Sequence, residues 1–142
     1  MGLPIPFFFQ WDDVEYSLRG RRNNIPTVTL PGAAVWHADF YWKDVDGFGH
    51  FFSMRNGLIT AALDPGFNPK ALVTSTLADI RREILGMQYG LAHTHMAAVR
   101  GFLNGPKGLH DGGQDAVARI NRERAAFPLS LIHISEPTRL RR

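Results

Sequence analysis

The chain changes character near residue 45. Before that point it carries two short, strongly apolar runs, FFFQW at residues 7–11 and TVTLPGAAVW at residues 27–36. Aromatic and β-branched runs of this length, bounded by prolines and glycines, are typical of strands. Runs that are apolar throughout are typical of the middle of a larger sheet. After residue 45 the apolar residues recur at helical spacing. The sequence therefore predicts an α/β fragment followed by an α-helical region, with helix dominating overall.

Helical patterns cover most of the remaining chain. Two glycines, Gly86 and Gly90, interrupt the longest of these patterns and are candidate bends. The segment DPGFNPK at residues 64–70 contains turn-forming residues and separates two helical patterns. The predicted helices are Asp12 to about Asn23, a segment that begins near Phe51, a long region Lys70–Leu103 and a last, charged helix Gln114–Phe127.

Composition excludes several classes of protein. The 142 residues are 44% hydrophobic and 20% charged, which is ordinary for a globular domain with a core of its own. The absence of cysteine excludes disulfides and thiolate metal sites. No apolar run approaches the roughly 18–20 residues that span a bilayer. The opening MGLPIPFFFQWDD lacks the basic region of a signal peptide and turns acidic at once.

The formal charge of +3 would favour an anionic partner, but the C-terminal stretch LSLIHISEPTRLRR supplies much of it. LSLIHISEPTR matches the in-frame translation of a sequencing-library adapter. We therefore expect residues 129–142 to be disordered and foreign to the natural protein. This stretch contains three arginines and one glutamate, so the rest of the chain carries a net charge of about +1. Nucleic acid is accordingly not an expected partner.

Three carboxylates crowd the junction FFQWDDVEYSLRG at residues 8–20. In one interpretation, Asp12 and Glu15 form a capping box at the start of a helix. In the other, one carboxylate faces a cleft and acts as a general base, because a strand that ends at a helix start is a rigid mount for such a group. Trp11 offers an apolar face on which a sugar ring could stack. Pattern alone leaves both interpretations open.

His37 stands 24 positions after Asp13, at the end of the second apolar run. A single histidine at a strand end is either a half-buried structural residue or one ligand of a divalent metal. Asp39 is a weak local candidate for a second ligand. His93 and His95 are not predicted to be a metal pair, because positions two apart on a helix do not share a face. Arg55 and Asn56 either brace the loop that holds His37 or lie on a helix surface.

The motifs LPIPFFFQWDDVEYSLR, TVTLPGAAVWHADFYWKD and FFSMRNGLITAAL resemble the galactofuranosyltransferases that build mycobacterial cell-wall galactan. The resemblance extends from about Gly2 to Phe127 and includes LGMQYGLAHTHMAAVRGFLNGPKGLHDGG. It implies an inverting enzyme of GT-A fold that transfers galactofuranose from UDP-galactofuranose to a growing lipid-linked galactan. It also implies that this chain is the C-terminal fragment of the enzyme and is inactive alone.

The resemblance also implies roles for single residues. Asp13 matches the catalytic base, Asp12 matches an acidic residue of the acceptor site, and His37 matches a ligand of the metal beneath the diphosphate. The ligand type suits Mn²⁺ or Mg²⁺. Two departures from the family pattern are visible. The Asp-x-Asp metal motif has no counterpart, and Ser53 and Met54 stand where a further active-site histidine is expected.

The predicted organisation has three parts. Residues 1–45 form the acceptor-side part of a catalytic domain, residues 46–128 form a helical region, and residues 129–142 are the adapter translation. The implied location is cytoplasmic, peripheral to the inner face of the plasma membrane, and homo-oligomer formation by the full enzyme stays open. The alternative is a non-enzymatic helical module for assembly or membrane docking, in which the carboxylates only cap a helix.

Overall fold

A computed structural model describes residues 2–36, 47–111 and 113–127. Within these residues the chain forms five α-helices and one short 3-10 helix. No helix in this part of the chain is both long and apolar enough to cross a bilayer. The elements are α1 Asp12–Arg22, α2 Gly49–Ala62, α3 Pro69–Leu85, α4 Tyr89–Leu103, a 3-10 helix Pro106–Leu109 and α5 Gln114–Arg124.

The predicted α/β fragment of a GT-A domain is wrong, because the regular structure in residues 2–36, 47–111 and 113–127 is helical and these residues contain no strand. The first predicted strand forms bends that lead into α1, and residues 25–36 of the second segment are exposed and non-helical. A strand is stable only when a neighbour takes up its backbone N–H and C=O groups. Neither apolar run has such a neighbour among the described residues, so β propensity alone does not produce a sheet.

Helix α4 lies at the centre of the packing and contacts α2, α3 and α5. Small side chains on α4 allow the aromatic rings of α2 to approach it closely. A Cβ added at Gly101 of α4 would lie only 3.2 Å from Cζ of Phe51 in α2. Phe51 belongs to the main core, which α2, α4 and α5 form together. The core consists of Phe51, Phe52, Ala97, Ala98, Ala116 and Ile120.

The long region predicted between residues 70 and 103 is two helices that fold back on each other. Helix α3 begins at Asn68, whose side chain accepts a hydrogen bond from the Ala71 amide at 3.1 Å, with Pro69 at the first helical position. It ends at Gly86, and Met87 then adopts a left-handed φ of 58°. The predicted bend at Gly86 is thus a full break.

Helix α3 has an unusual distribution of polarity. Thr76 and Glu83 are buried, whereas Val73, Leu77 and Ile84 are about half exposed or more. Helices that pack on a globular core normally show the reverse arrangement. The polar side of α3 therefore faces α4 and the cavity described below, and its apolar side faces outward.

Candidate active site

The segment before α1 is anchored on α2 by aromatic packing. The Phe8 ring lies 5.0 Å from the Phe52 ring, and the Phe9 ring lies 6.0 Å from the Phe48 ring, measured between centroids. Offset and edge-on aromatic pairs at these distances stabilise beyond the apolar area that they bury. The FFFQW run thus fixes the start of α1 by packing on a helix and not by pairing in a sheet.

The turn between this anchor and α1 is left-handed. Gln10 has φ 60° and Trp11 has φ 73°, and Trp11 is the N-cap of α1. The side-chain amide of Asn56, which is fully buried in α2, donates to the Phe9 carbonyl at 2.8 Å and to the Gln10 carbonyl at 3.1 Å. The next residue, Gly57, leaves room for the Trp11 indole, because a Cβ there would lie 3.0 Å from Cζ2.

The three carboxylates after this turn have different environments. Asp12 and Asp13 are exposed, whereas Glu15 is buried and pairs with Arg19 at 2.9 Å. Asp13 Oδ1 accepts a hydrogen bond from the Val14 amide at 2.8 Å. The predicted capping box does not form, because the N-cap of α1 is Trp11 and no side chain caps the helix. Neither Asp12 nor Asp13 is therefore the N-cap of α1.

A cavity of about 880 Å³ lies beside the turn, between α2 and α3. Trp11 forms part of its wall, and Ser53 and Met54 of α2 also line it. Thr60 also lines the cavity, and its buried hydroxyl has no hydrogen-bond partner among the described residues. An aromatic wall with a few polar groups is a common lining for a small-molecule site.

Two histidines that line this cavity, His50 and His95, lie close to the buried Glu83 of α3. His50 and His95 have ring centroids 5.5 Å apart, and His95 Nδ1 lies 2.7 Å from Glu83 Oε1. Burial raises the pKa of Glu83 to about 7, with Asp79 adding to the effect and Arg82 opposing it. Burial, followed by the charge of His50, lowers the pKa of His95 to about 4. Both groups are thus favoured in their neutral forms.

The predicted metal ligand, His37, lies outside the described residues, as does Asp39. Among the residues that are described, no three His, Cys, Asp or Glu side chains converge in a way that could hold a metal ion. His93 Nδ1 lies 3.8 Å from Glu123 of α5, whereas His95 faces Glu83 of α3. The two histidines therefore point to different helices, as their spacing predicts. The described residues do not by themselves fit a metal.

Sequence reasoning missed the buried roles of Asn56, Glu83 and His95. The sequence predicts that Asn56 either braces the His37 loop or lies on a helix surface, whereas its side chain holds the turn at residues 9–10. One signal was available, because Asn56 is four positions from both Phe52 and Thr60 and so shares their helix face. Glu83 and His95 belong to different helices, and no local pattern relates them.

Comparison with known proteins gives two similar sequences. Galactofuranosyltransferase GlfT2 of Mycobacterium tuberculosis (strain ATCC 25618 / H37Rv) is 34% identical over 139 residues, a match that covers 93% of this chain. The protein of the same name from Mycolicibacterium smegmatis (strain ATCC 700084 / mc(2)155) is 33% identical over 135 residues. The chain is a relative of the galactofuranosyltransferases. The predicted resemblance is confirmed, and both relatives are named as galactofuranosyltransferases, which are glycosyltransferases.

The match has a limited extent on the side of the relatives. The chain spans about a fifth of their length, since 21% of each is covered. No family model matches the chain, and no solved structure matches it. At the start of α1, the half-buried Trp11 lines a cavity, and the next two residues, Asp12 and Asp13, are exposed.

Proposed function

We propose that this chain contributes the acceptor-side catalytic residues of a transferase that moves galactofuranose from UDP-galactofuranose to a lipid-linked galactan. The observation that carries the proposal is the exposed pair Asp12–Asp13, presented by a left-handed turn whose Trp11 ring lines a cavity. The similarity to proteins named galactofuranosyltransferase supports the substrate class. The sequence pattern allowed either helix capping or catalysis for these carboxylates, and we assign Asp12 and Asp13 to catalysis.

The proposed chemistry is a single displacement with inversion at the anomeric carbon. Asp13 takes the proton from an acceptor hydroxyl while the hydroxyl oxygen bonds to the anomeric carbon. The bond from that carbon to the diphosphate oxygen breaks, and UDP leaves with the electron pair. Asp13 Oδ1 is held by the Val14 amide, which leaves the second carboxylate oxygen for the proton. Asp12 binds acceptor hydroxyls, and the Trp11 ring stacks on a sugar.

His37 is proposed as one ligand of Mn²⁺ or Mg²⁺, with further ligands from outside this chain. A bound divalent ion would neutralise charge on the diphosphate leaving group. The proposed location is the cytoplasmic side of the plasma membrane, where a lipid-linked acceptor is within reach. Because the chain spans about a fifth of the length of its relatives, we expect the 142 residues alone to show no transfer.

Grafting tests this proposal. Residues 2–127 replace the aligned segment of the Mycobacterium tuberculosis relative, and transfer from UDP-galactofuranose to a synthetic lipid-linked galactan is measured. Asp13→Asn should lower kcat by about 100-fold or more, the usual scale for losing a general base, with donor KM unchanged. Asp12→Asn should raise the KM for the acceptor. His37→Ala should raise the metal concentration needed for half-maximal rate.

Asp115→Asn is the matched control. Asp115 is also the second residue of an exposed helix start, in α5, so the substitution removes the same charge from the same kind of position. Its kcat should match that of the unmodified graft. Equal rates in the Asp13→Asn variant and this control would refute the assignment of the base. A graft that folds but transfers no galactofuranose would refute the proposed function.

A further inference from the structure

The turn that presents Asp12 and Asp13 is strained and must be held in place. Two consecutive residues with side chains, Gln10 and Trp11, have φ values of 60° and 73°. The left-handed region is unfavourable for residues other than glycine, because Cβ comes too close to the carbonyl oxygen. Such conformations persist where surrounding contacts over-determine them, and they concentrate at functional sites.

Asn56 supplies those contacts. Its Nδ2 group donates to the carbonyls of Phe9 and Gln10. The first carbonyl lies just before the left-handed pair, and the second lies between its two residues. Asn56 is fully buried, so no water replaces these hydrogen bonds if they are lost. The helix that carries it, α2, is the most heavily packed partner of α4, and the amide is therefore mounted on a rigid element.

Arg55 fixes the orientation of that amide. Its Nε donates to Asn56 Oδ1 at 3.0 Å, and its guanidinium lies 4.9 Å from the centroid of the Phe52 ring. An arginine nitrogen can only donate and a backbone carbonyl can only accept. The amide oxygen must therefore face Arg55, and the NH₂ group must face the turn. The contact has one chemically consistent orientation.

We propose that Asn56, oriented by Arg55, is a positioning residue that sets the direction of Asp12 and Asp13. This inference rests on the proposed function, because it concerns the same carboxylates. Asn56 touches neither substrate nor reacting atoms; it acts through the backbone of residues 9–11. Misplacement of a catalytic group by about 1 Å from such a site lowers turnover by as much as about 100-fold.

The first test measures the turn itself in the 142-residue chain. The Glu15 amide donates to the Trp11 carbonyl at 2.9 Å, so its hydrogen exchange reports whether Trp11 keeps its N-cap conformation. The isosteric variant Asn56→Asp cannot donate to the two carbonyls. Its Glu15 amide should exchange about tenfold faster or more, because buried hydrogen bonds are lost. The Leu72 amide, which donates to the Asn68 carbonyl at 3.1 Å at the start of α3, should keep its rate.

The second test measures turnover in the grafted enzyme. Asn56→Asp should lower kcat by about 10- to 100-fold with donor KM unchanged, at a temperature where both proteins remain folded. Asn121→Asp, an isosteric change at an exposed position of α5, is the control and should keep the parent kcat. Adding Gln10→Gly to Asn56→Asp should restore at least part of kcat, because glycine adopts positive φ without strain.

Arg55→Lys keeps the experiment decisive if Asn56→Asp does not fold. Lysine retains the charge but has no Nε–H at that place, so kcat should fall by roughly 3- to 10-fold. Three results would overturn the inference: an unchanged Glu15 exchange rate in Asn56→Asp, an unchanged kcat in that variant, or no recovery of kcat when Gln10→Gly is added. In each case a large loss of kcat in Asp13→Asn would leave the proposed function standing. An inactive parent graft would instead overturn the proposed function, and the positioning role with it.

Discussion

At the scale of single residues, three neighbouring acids divide between structure and solvent. Glu15 is 3% exposed and pairs with Arg19 one helical turn away. Asp12 and Asp13 stay exposed because the left-handed turn at Trp11 starts the helix one residue earlier than a capping box would. The same turn seats the Trp11 indole on Gly57. A glycine is needed there for close approach and not for backbone conformation.

Gly57→Ala should displace the Trp11 ring. The added Cβ would lie 3.0 Å from Cζ2 and 3.1 Å from Cε2 of the indole. The gain in helix propensity, about 1 kcal/mol, opposes the steric cost, so global stability should change by less than about 1 kcal/mol. Trp11 fluorescence, isolated by Trp36→Phe and Trp42→Phe, should shift to longer wavelength. Gly108→Ala, which meets nothing within 4 Å, is the control. An unchanged Trp11 spectrum would contradict the packing described.

At the scale of elements, the start of α5 is held against the segment before α1. Gly113 is the N-cap of α5 and has φ 79°. A Cβ added at Gly113 would lie 2.5 Å from both Cβ and Cγ of Phe8, a distance that real contacts do not reach. The two ends of the helical core therefore meet at a position that only glycine can fill, and this contact joins α5 to the turn that carries the carboxylates.

Gly113→Ala should destabilise the protein by about 2 kcal/mol or more, measured as the free energy of unfolding in urea. The steric term is that of overpacking, about 1–3 kcal/mol, and the left-handed φ adds roughly 1 kcal/mol. Gly32→Ala is the control, because Gly32 has φ 77° but nothing within 4 Å. It should show the backbone cost alone. Equal losses in the two variants would show that the Phe8 contact contributes nothing.

At the scale of the whole molecule, we expect the buried pair Glu83–His95 to make stability depend on pH. Between pH 4.5 and 7 the folded Glu83 holds a proton that the unfolded chain has lost, so its contribution to stability falls as the pH rises. Between pH 4 and 6.5 the unfolded His95 is protonated and the folded one is neutral, so its contribution rises with pH. The two effects oppose each other from pH 4.5 to 6.5.

Single substitutions should separate the contributions of Glu83 and His95 to the free energy of unfolding. Relative to the parent, His95→Gln should lose stability as the pH rises from 4 to 6.5, and Glu83→Gln should gain stability as it rises from 4.5 to 7. Each slope is at most about 1.4 kcal/mol per pH unit, the value for one proton. Urea unfolding at a series of pH values measures both. The double variant should have the same slope as the parent between pH 4.5 and 6.5, where the two effects cancel, and slopes of the same sign in both single variants would contradict the pair.

The sequence by itself determined where most helices lie and which family the chain resembles. Asn68–Pro69 and Gly86 mark the ends of α3 through local capping and backbone preference, which depend only on neighbouring residues. The crowded acids likewise indicated where α1 begins, although the segment before it was predicted as a strand and is a left-handed turn.

Only the tertiary structure decided which groups are buried, and it overruled the predicted strands. FFFQW packs on α2 because aromatic rings from a distant helix are available and no pairing strand lies beside it in the described residues. Asn56 is buried because the backbone 46 and 47 positions earlier supplies its acceptors, and Glu83 is buried against His95 of another helix. The apolar residues of α3 face outward because its polar side is the one that packs on α4. Contacts between residues far apart in sequence set these environments, and local propensity carries no information about them.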